Sequence, residues 1–97
     1  MVITILEAHV PAEQWNALQD AYQATHANSP AQLRESYLIQ STSDPTLWRS
    51  IGIWHSRAAF EEYRQSVEVP RGVLFFRSAG VEPTLRLFEV KAQAPSA

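Results

Sequence analysis

The sequence contains no cysteine, which excludes disulfides, thiolate nucleophiles and thiolate metal sites together. Glycine occurs only three times, and these positions form neither a phosphate-cradling loop nor a Ser-centred nucleophile elbow. Nucleotide-dependent and hydrolase chemistry therefore find no motif. Excess charge of one sign is also missing: 8 basic against 10 acidic residues give a net charge of -2. The basic residues are scattered, so there is no stripe to bind nucleic-acid phosphates. No long apolar run occurs. The opening Val2-Ile3-Thr4-Ile5-Leu6 is interrupted by Glu7 and His9, too short for a signal-peptide core or a membrane span, and a cytoplasmic location is expected by default. The histidines His9, His26 and His55 lack the close, paired spacing of a metal site, so no metal is expected.

What is present is an ordinary globular composition. The chain has 97 residues, 45% of them hydrophobic and 19% charged, enough for one domain with its own core. That domain is expected over residues 1–92, with the small, polar, aperiodic 93–97 as a flexible tail.

Residues 2 to 8 place apolar side chains on both alternating faces, Val2 and Leu6 against Ile3 and Ile5, the pattern of a strand covered on two sides. Pro11, at an expected first helical position, opens a segment where Trp15, Leu18, Tyr22 and Thr25 recur at three- and four-residue steps. This predicts an amphipathic helix ending near Ala27, before Asn28-Ser29-Pro30. Residues 33 to 41 alternate Leu33, Tyr37 and Ile39 with Arg34, Ser36 and Gln40, a strand with one wetter face. After a turn at Ser43-Asp44-Pro45, residues 47 to 54 form the next strand. Trp48, Ser50, Gly52 and Trp54 share one of its faces, and Gly52 leaves room for a large neighbour. Ser56 caps a second helix, Arg57 to about Ser66, whose inward stripe is Phe60, Tyr63 and Val67. Pro70 and Gly72 break it, Val73 to Phe76 suggests a helical turn stopped at Gly80, and 84 to 91 is a last strand.

Strand, helix, strand, strand, helix, strand is the α+β, ferredoxin-like βαββαβ order: an antiparallel four-stranded sheet with both helices on one face. Apolar residues on both sides of the strands would leave the other sheet face as an oversized exposed patch. A second copy of the chain is the expected cover, giving a homodimer of the dimeric α/β barrel type.

The run from Leu47 to Ser66, LWRSIGIWHSRAAFEEYRQS, resembles the antibiotic biosynthesis monooxygenase family within the dimeric α/β-barrel superfamily. In that family a strand ending in Trp passes through a small polar residue into a helix with a Phe or similar residue near its start, which Trp54, Ser56 and Phe60 match. The resemblance implies a pocket between helices and sheet, holding a flat aromatic or quinol-like substrate that reacts directly with oxygen. No cofactor is implied, since an ionised hydroxyarene can itself reduce oxygen. On this reading Trp54, Tyr63 and His55 are the candidate catalytic residues, and Tyr37, Trp15 and Phe75 line the pocket. His26 and Glu35 are further candidates for a base. The haem-degrading branch uses an Asn near the end of the first strand, a Trp on the second helix and a downstream His. Here Glu7 and Tyr63 stand at about the first two places and no His follows His55, so haem breakdown is not expected.

Other uses of the same residues compete with these. Trp54 and Trp48 share a strand face, where aromatics commonly fill a core or dimer contact, and a buried Tyr63 commonly only satisfies its hydroxyl. His55 can simply orient the capping turn. Phe75 and Phe76 are expected at the partner subunit or over the pocket. A non-catalytic binding or dimerisation module of the same fold, and an isomerase or decarboxylase with a His base, are the alternatives.

Overall fold

The computed structural model describes residues 1–26 and 28–95; Ala27, the expected helix end, and the last two residues of the expected tail lie outside them. Four strands and three helices follow in the order β1 (Val2–His9), α1 (Trp15–His26), β2 (Leu33–Gln40), β3 (Leu47–Trp54), α2 (Arg57–Ser66), α3 (Arg71–Ser78) and β4 (Thr84–Glu89). The strands form one antiparallel sheet in the order β2-β3-β1-β4. Each βαβ unit is thus split by a strand of the other: β3 lies between β1 and β2, and β1 lies between β3 and β4. This is the ferredoxin-like α+β fold.

Strand pairing decides which side chains see the helices. Val2, Thr4 and Leu6 of β1 and Trp48, Ser50, Gly52 and Trp54 of β3 are buried beneath the helical layer. Ile3, Ile5, Ile51 and Ile53 alternate with them and turn to the opposite, open face. The pattern on β2 differs from the expected one. A register shift between Leu33 and Glu35 puts Leu33 on the helix side with Ser36 and Leu38, and leaves Tyr37 and Ile39 on the open face. A bulge of this kind breaks the two-residue period that simple alternation assumes.

Helix boundaries follow local chemistry. Pro11 stands one step outside the helical region, extended before a 3-10 turn over Ala12–Gln14 that runs into α1. Ser56 accepts the Ala59 backbone N–H at 3.0 Å and caps α2 as expected. α2 ends at Ser66, ahead of Pro70 and Gly72 as expected, and these two also begin the next helix: Pro70 is the cap of α3, where a missing N–H costs little, and Gly72 lies in its first turn. A Cβ at Gly72 would stand 2.8 Å from Leu6 Cδ1, so the glycine is what lets α3 approach β1. α3 therefore has eight residues rather than a single turn, and Gly80, at φ +75, follows its end as the sequence predicts. Phe75 and Phe76 are 4% and 0% exposed. They belong to the core and not to a partner contact, because the full-length α3 turns both into the protein.

The buried residues fall into two clusters. Leu6, Val10, Leu18, Trp48, Phe75, Phe76 and Ala79 form one beneath α1 and α3. Val2, Trp54, Phe60 and Tyr63 form the other beneath α2. Between them the sheet offers only small or polar side chains.

Candidate functional site

That gap is a slot. Its floor is Thr4 of β1, Ser36 of β2, and Ser50 and Gly52 of β3; Leu6 and Phe75 close one side and Trp54, Phe60 and Tyr63 the other. Tyr22 of α1, Leu33 of β2, Pro70, Arg71 and Gly72 at the start of α3, Ser29 before β2, and Leu85 of β4 complete the lining. The slot is open at one end and holds a cavity of about 50 Å³, room for a few waters. It exists because side chains in the middle of the central strands are too small to fill the space that the tryptophans fill at the strand ends.

The aromatic wall is held rigidly. Trp54 lies 4.9 Å from Tyr63 and 5.1 Å from Phe60 between ring centroids, spacings at which aromatic pairs add to burial energy. Its indole Nε1 donates to Thr4 Oγ1 at 3.0 Å, and Thr4 in turn donates to the Gly52 carbonyl at 3.5 Å. Gly52 is required by that arrangement, since a Cβ there would lie 2.8 Å from Thr4 Oγ1 and 3.0 Å from Trp54 Nε1. Opposite, the Tyr63 hydroxyl accepts the backbone N–H of Arg71 at 2.9 Å, linking α2 to the start of α3. Tyr22 donates to Ser36 Oγ at 3.0 Å and its ring meets Phe75 edge-on at 5.3 Å.

Arg71 is the charged residue of the lining. Its guanidinium donates to the backbone carbonyls of Thr25 and of Asn28, the latter at 2.9 Å, and stands 6.0 Å from the Phe75 ring centre. A cation at these carbonyls also suits the end of α1, whose dipole is negative there. No Asp, Glu or His contributes to the slot among the described residues.

Of the residues singled out in the sequence, Trp54, Tyr63 and Phe75 come together in this slot. The others do not. Trp15 donates to the Val10 carbonyl at 2.8 Å and packs on Trp48 at 6.0 Å, outside the lining. Tyr37 points to the open sheet face, half exposed, and donates to Glu35 at 2.8 Å. That bond to a carboxylate raises the Tyr37 phenol above its ordinary value of 10.0. Glu35 shares the open face with Tyr37, two residues along β2. His55 is exposed in the turn before α2. The side chain of His26 lies outside the described residues. Sequence reasoning missed Thr4, Ser36, Ser50 and Arg71. The first three had a signal in small residues recurring on strand faces flanked by large ones; Arg71 had none, because its place depends on α3.

A two-layer ferredoxin-like fold with an aromatic-walled slot between helices and sheet defines the class of this domain. Residues 1–73 match the antibiotic biosynthesis monooxygenase family, and the chain belongs to that family. A search of curated proteins by sequence finds no match. Among solved structures, Rv0793 from Mycobacterium tuberculosis superposes with a TM-score of 0.70 at 18% identity, covering 96% of this chain and 97% of that one. SnoaB, a cofactor-independent oxygenase from Streptomyces nogalater, gives 0.67 at 16% identity over 98% and 97%. A mutant of MhuD, with two manganese protoporphyrin IX molecules per active site, gives 0.72 at 17% over 99% and 100%. At these identities the likeness establishes the fold.

The slot offers a porphyrin iron no ligand: its described lining has no imidazole, thiol or carboxylate. Glu7, at the place of the haem-degrading Asn, faces the other side of the sheet and pairs with Arg49 at 2.5 Å.

Proposed function

We propose that this protein is a cofactor-independent monooxygenase acting on a small aromatic or quinol-like substrate, and that it works as a homodimer. The observation that carries the reading is the slot itself, walled by Trp54, Phe60, Tyr63 and Phe75, in a chain of the monooxygenase family. An ionised hydroxyarene can pass one electron to oxygen, recombine with it to a hydroperoxide, and lose water to leave a carbonyl. One oxygen atom then enters the product and the other leaves as water, with no external reductant. The protein's part is to hold the ring against Trp54, exclude bulk water and stabilise the oxyanion.

The dimer reading is supported by the open sheet face. Ile3, Ile5, Ile51 and Ile53 lie there beside Tyr37, Ile39 and Phe88, of which the last three are 50%, 41% and 48% exposed. A contiguous patch of this kind is larger than soluble monomers usually expose, and an identical face is the economical cover.

Oxygen uptake by the purified protein against single-ring hydroquinones and anthrones tests the activity. Uptake is expected with wild type, lost on heat unfolding, and reduced about tenfold or more per folded molecule in Trp54→Ala and Tyr63→Phe. No uptake with any compound removes the oxygenase reading. It would leave the non-catalytic binding module, which the lack of a carboxylate or imidazole in the described lining favours. The same lining gives an isomerase or decarboxylase with a His base no support.

A further inference from the structure

The polar groups of the slot are unequal in what they offer a ligand. Thr4 and the Trp54 indole are committed to each other and to Gly52. The Ser50 hydroxyl, on a residue 4% exposed, makes no side-chain hydrogen bond among the described residues. The Tyr63 hydroxyl, on a residue 5% exposed, accepts from Arg71 and so keeps its own proton for another acceptor. Arg71 spends two N–H groups on carbonyls, has no carboxylate partner among the described residues, and keeps its remaining donors. Among the described residues the slot thus carries one formal charge, positive, and its free hydrogen-bonding capacity is mainly that of donors.

We propose that the slot selects its ligand as an anion: a flat, single-ring acidic hydroxyarene bound as its phenolate, with Arg71 as counter-ion and Tyr63 and Ser50 donating to its oxygens. This rests on the reading of the slot as the substrate site and adds the ionisation state and size of what it takes. A cation beside an aromatic wall shielded from water stabilises a phenolate far more than it would in bulk solvent, and lowers the pKa of the bound phenol. The selectivity fits a described lining that holds no carboxylate or imidazole. A slot that binds the ionised form needs no side chain to remove the proton, because the phenol loses it to solvent as it binds. The enclosed space of about 50 Å³ is smaller than one ring, so the ligand must also occupy the open mouth, which favours one ring over a fused system.

The test uses 4-nitrophenol, which absorbs visible light only as its anion, beside 4-nitroanisole, its neutral near-isostere. Binding to wild type is followed by dye absorbance across pH and by displacement. Bound 4-nitrophenol is expected to ionise about one pH unit or more below the free dye, equivalent to about tenfold tighter binding of the anion. 4-Nitroanisole should bind at least tenfold more weakly than the anion. Arg71→Gln should abolish the shift, and Arg71→Lys, which keeps the charge if the α1 clamp loosens, should retain part of it. Tyr63→Phe should weaken the anion several-fold without removing the preference for it. Equal binding of the two dyes, an undiminished shift in a folded Arg71→Gln, or no binding of either at millimolar dye overturns the inference. The wild-type comparison decides it even where Arg71→Gln does not fold. Anion preference without oxygen uptake on hydroquinones would sustain the inference and remove the oxygenase; oxygen uptake without anion preference would do the reverse.

Discussion

Trp54 and Thr4, fifty positions apart on antiparallel neighbours β3 and β1, are joined by a hydrogen bond of 3.0 Å from the indole Nε1–H to the threonine Oγ1. Both are at least 95% buried, so each relies on the other for this hydrogen bond. Thr4→Val keeps the shape and removes the acceptor. It should cost about 1–3 kcal/mol, the usual penalty for a buried donor left unpaired, read as a lower midpoint in chemical denaturation. A change below about 0.5 kcal/mol would mean that the slot already admits water to the indole.

The two buried glycines on the helix side should respond very differently to alanine. At Gly52 the new methyl meets Thr4 Oγ1, Trp54 Nε1 and Leu33 Cδ1 at 2.8, 3.0 and 3.4 Å, all within one hydrogen-bonded, packed group. Gly52→Ala should cost about 1–3 kcal/mol through overpacking and abolish ligand binding by occupying the slot floor. At Gly72 the closest atom is the end of the Leu6 side chain at 2.8 Å, which can rotate, and alanine gains up to about 1 kcal/mol of helix propensity. Gly72→Ala should therefore be much the milder change. Equal thermal shifts for the two would contradict this account.

The turn before β3 should confer pH-dependent stability. Asp44 Oδ1 accepts from Thr46 Oγ1 at 2.7 Å and from the Thr46 N–H at 3.2 Å, with His9 at 3.6 Å from the other carboxylate oxygen. The Thr46 hydroxyl, opposed in part by desolvation and helped by the Thr46 N–H and His9, holds the carboxyl below its ordinary value of 3.8. A depressed folded-state value gives stability that is present above the ordinary value and lost as pH falls through the depressed one. Asp44→Ala should accordingly lower the denaturation midpoint at neutral pH, with the gap to wild type narrowing below about pH 4. A gap that is constant down to pH 2 would rule out the charged form as its source.

Ile51 sits in the middle of the open sheet face, opposite Ile5 on β1 and Tyr37 on β2. Ile51→Arg should convert a dimeric species to a monomer in sedimentation or light scattering at micromolar concentration, with helix content unchanged. A wild type that already sediments as a monomer would defeat the dimer reading outright.

Phe76 is fully buried between α1, α3 and β1. Truncation to alanine should cost about 3–5 kcal/mol, and a shift below about 1 kcal/mol would show that the first cluster repacks.

Periodicity alone determined much of this protein. Two-residue alternation in 2–8 and 47–54, the helical stripe of Phe60 and Tyr63, and the Ser56 cap are local features, set by side chains within a few positions of one another, and they appear where the sequence places them. The pairing of Trp54 with Tyr63 was legible for the same reason, each residue lying on the buried face of its own element. What required tertiary structure is non-local. The bulge at Leu33–Glu35 arises from pairing with β3 and moves Tyr37 off the helix side. α3 extends through Gly72 because Leu6 of β1 is its neighbour, and only that extension carries Arg71 to the carbonyls of Thr25 and Asn28. The slot likewise belongs to no single segment: it is the space left where Thr4, Ser36, Ser50 and Gly52, from three strands, come to lie side by side between two clusters of large side chains.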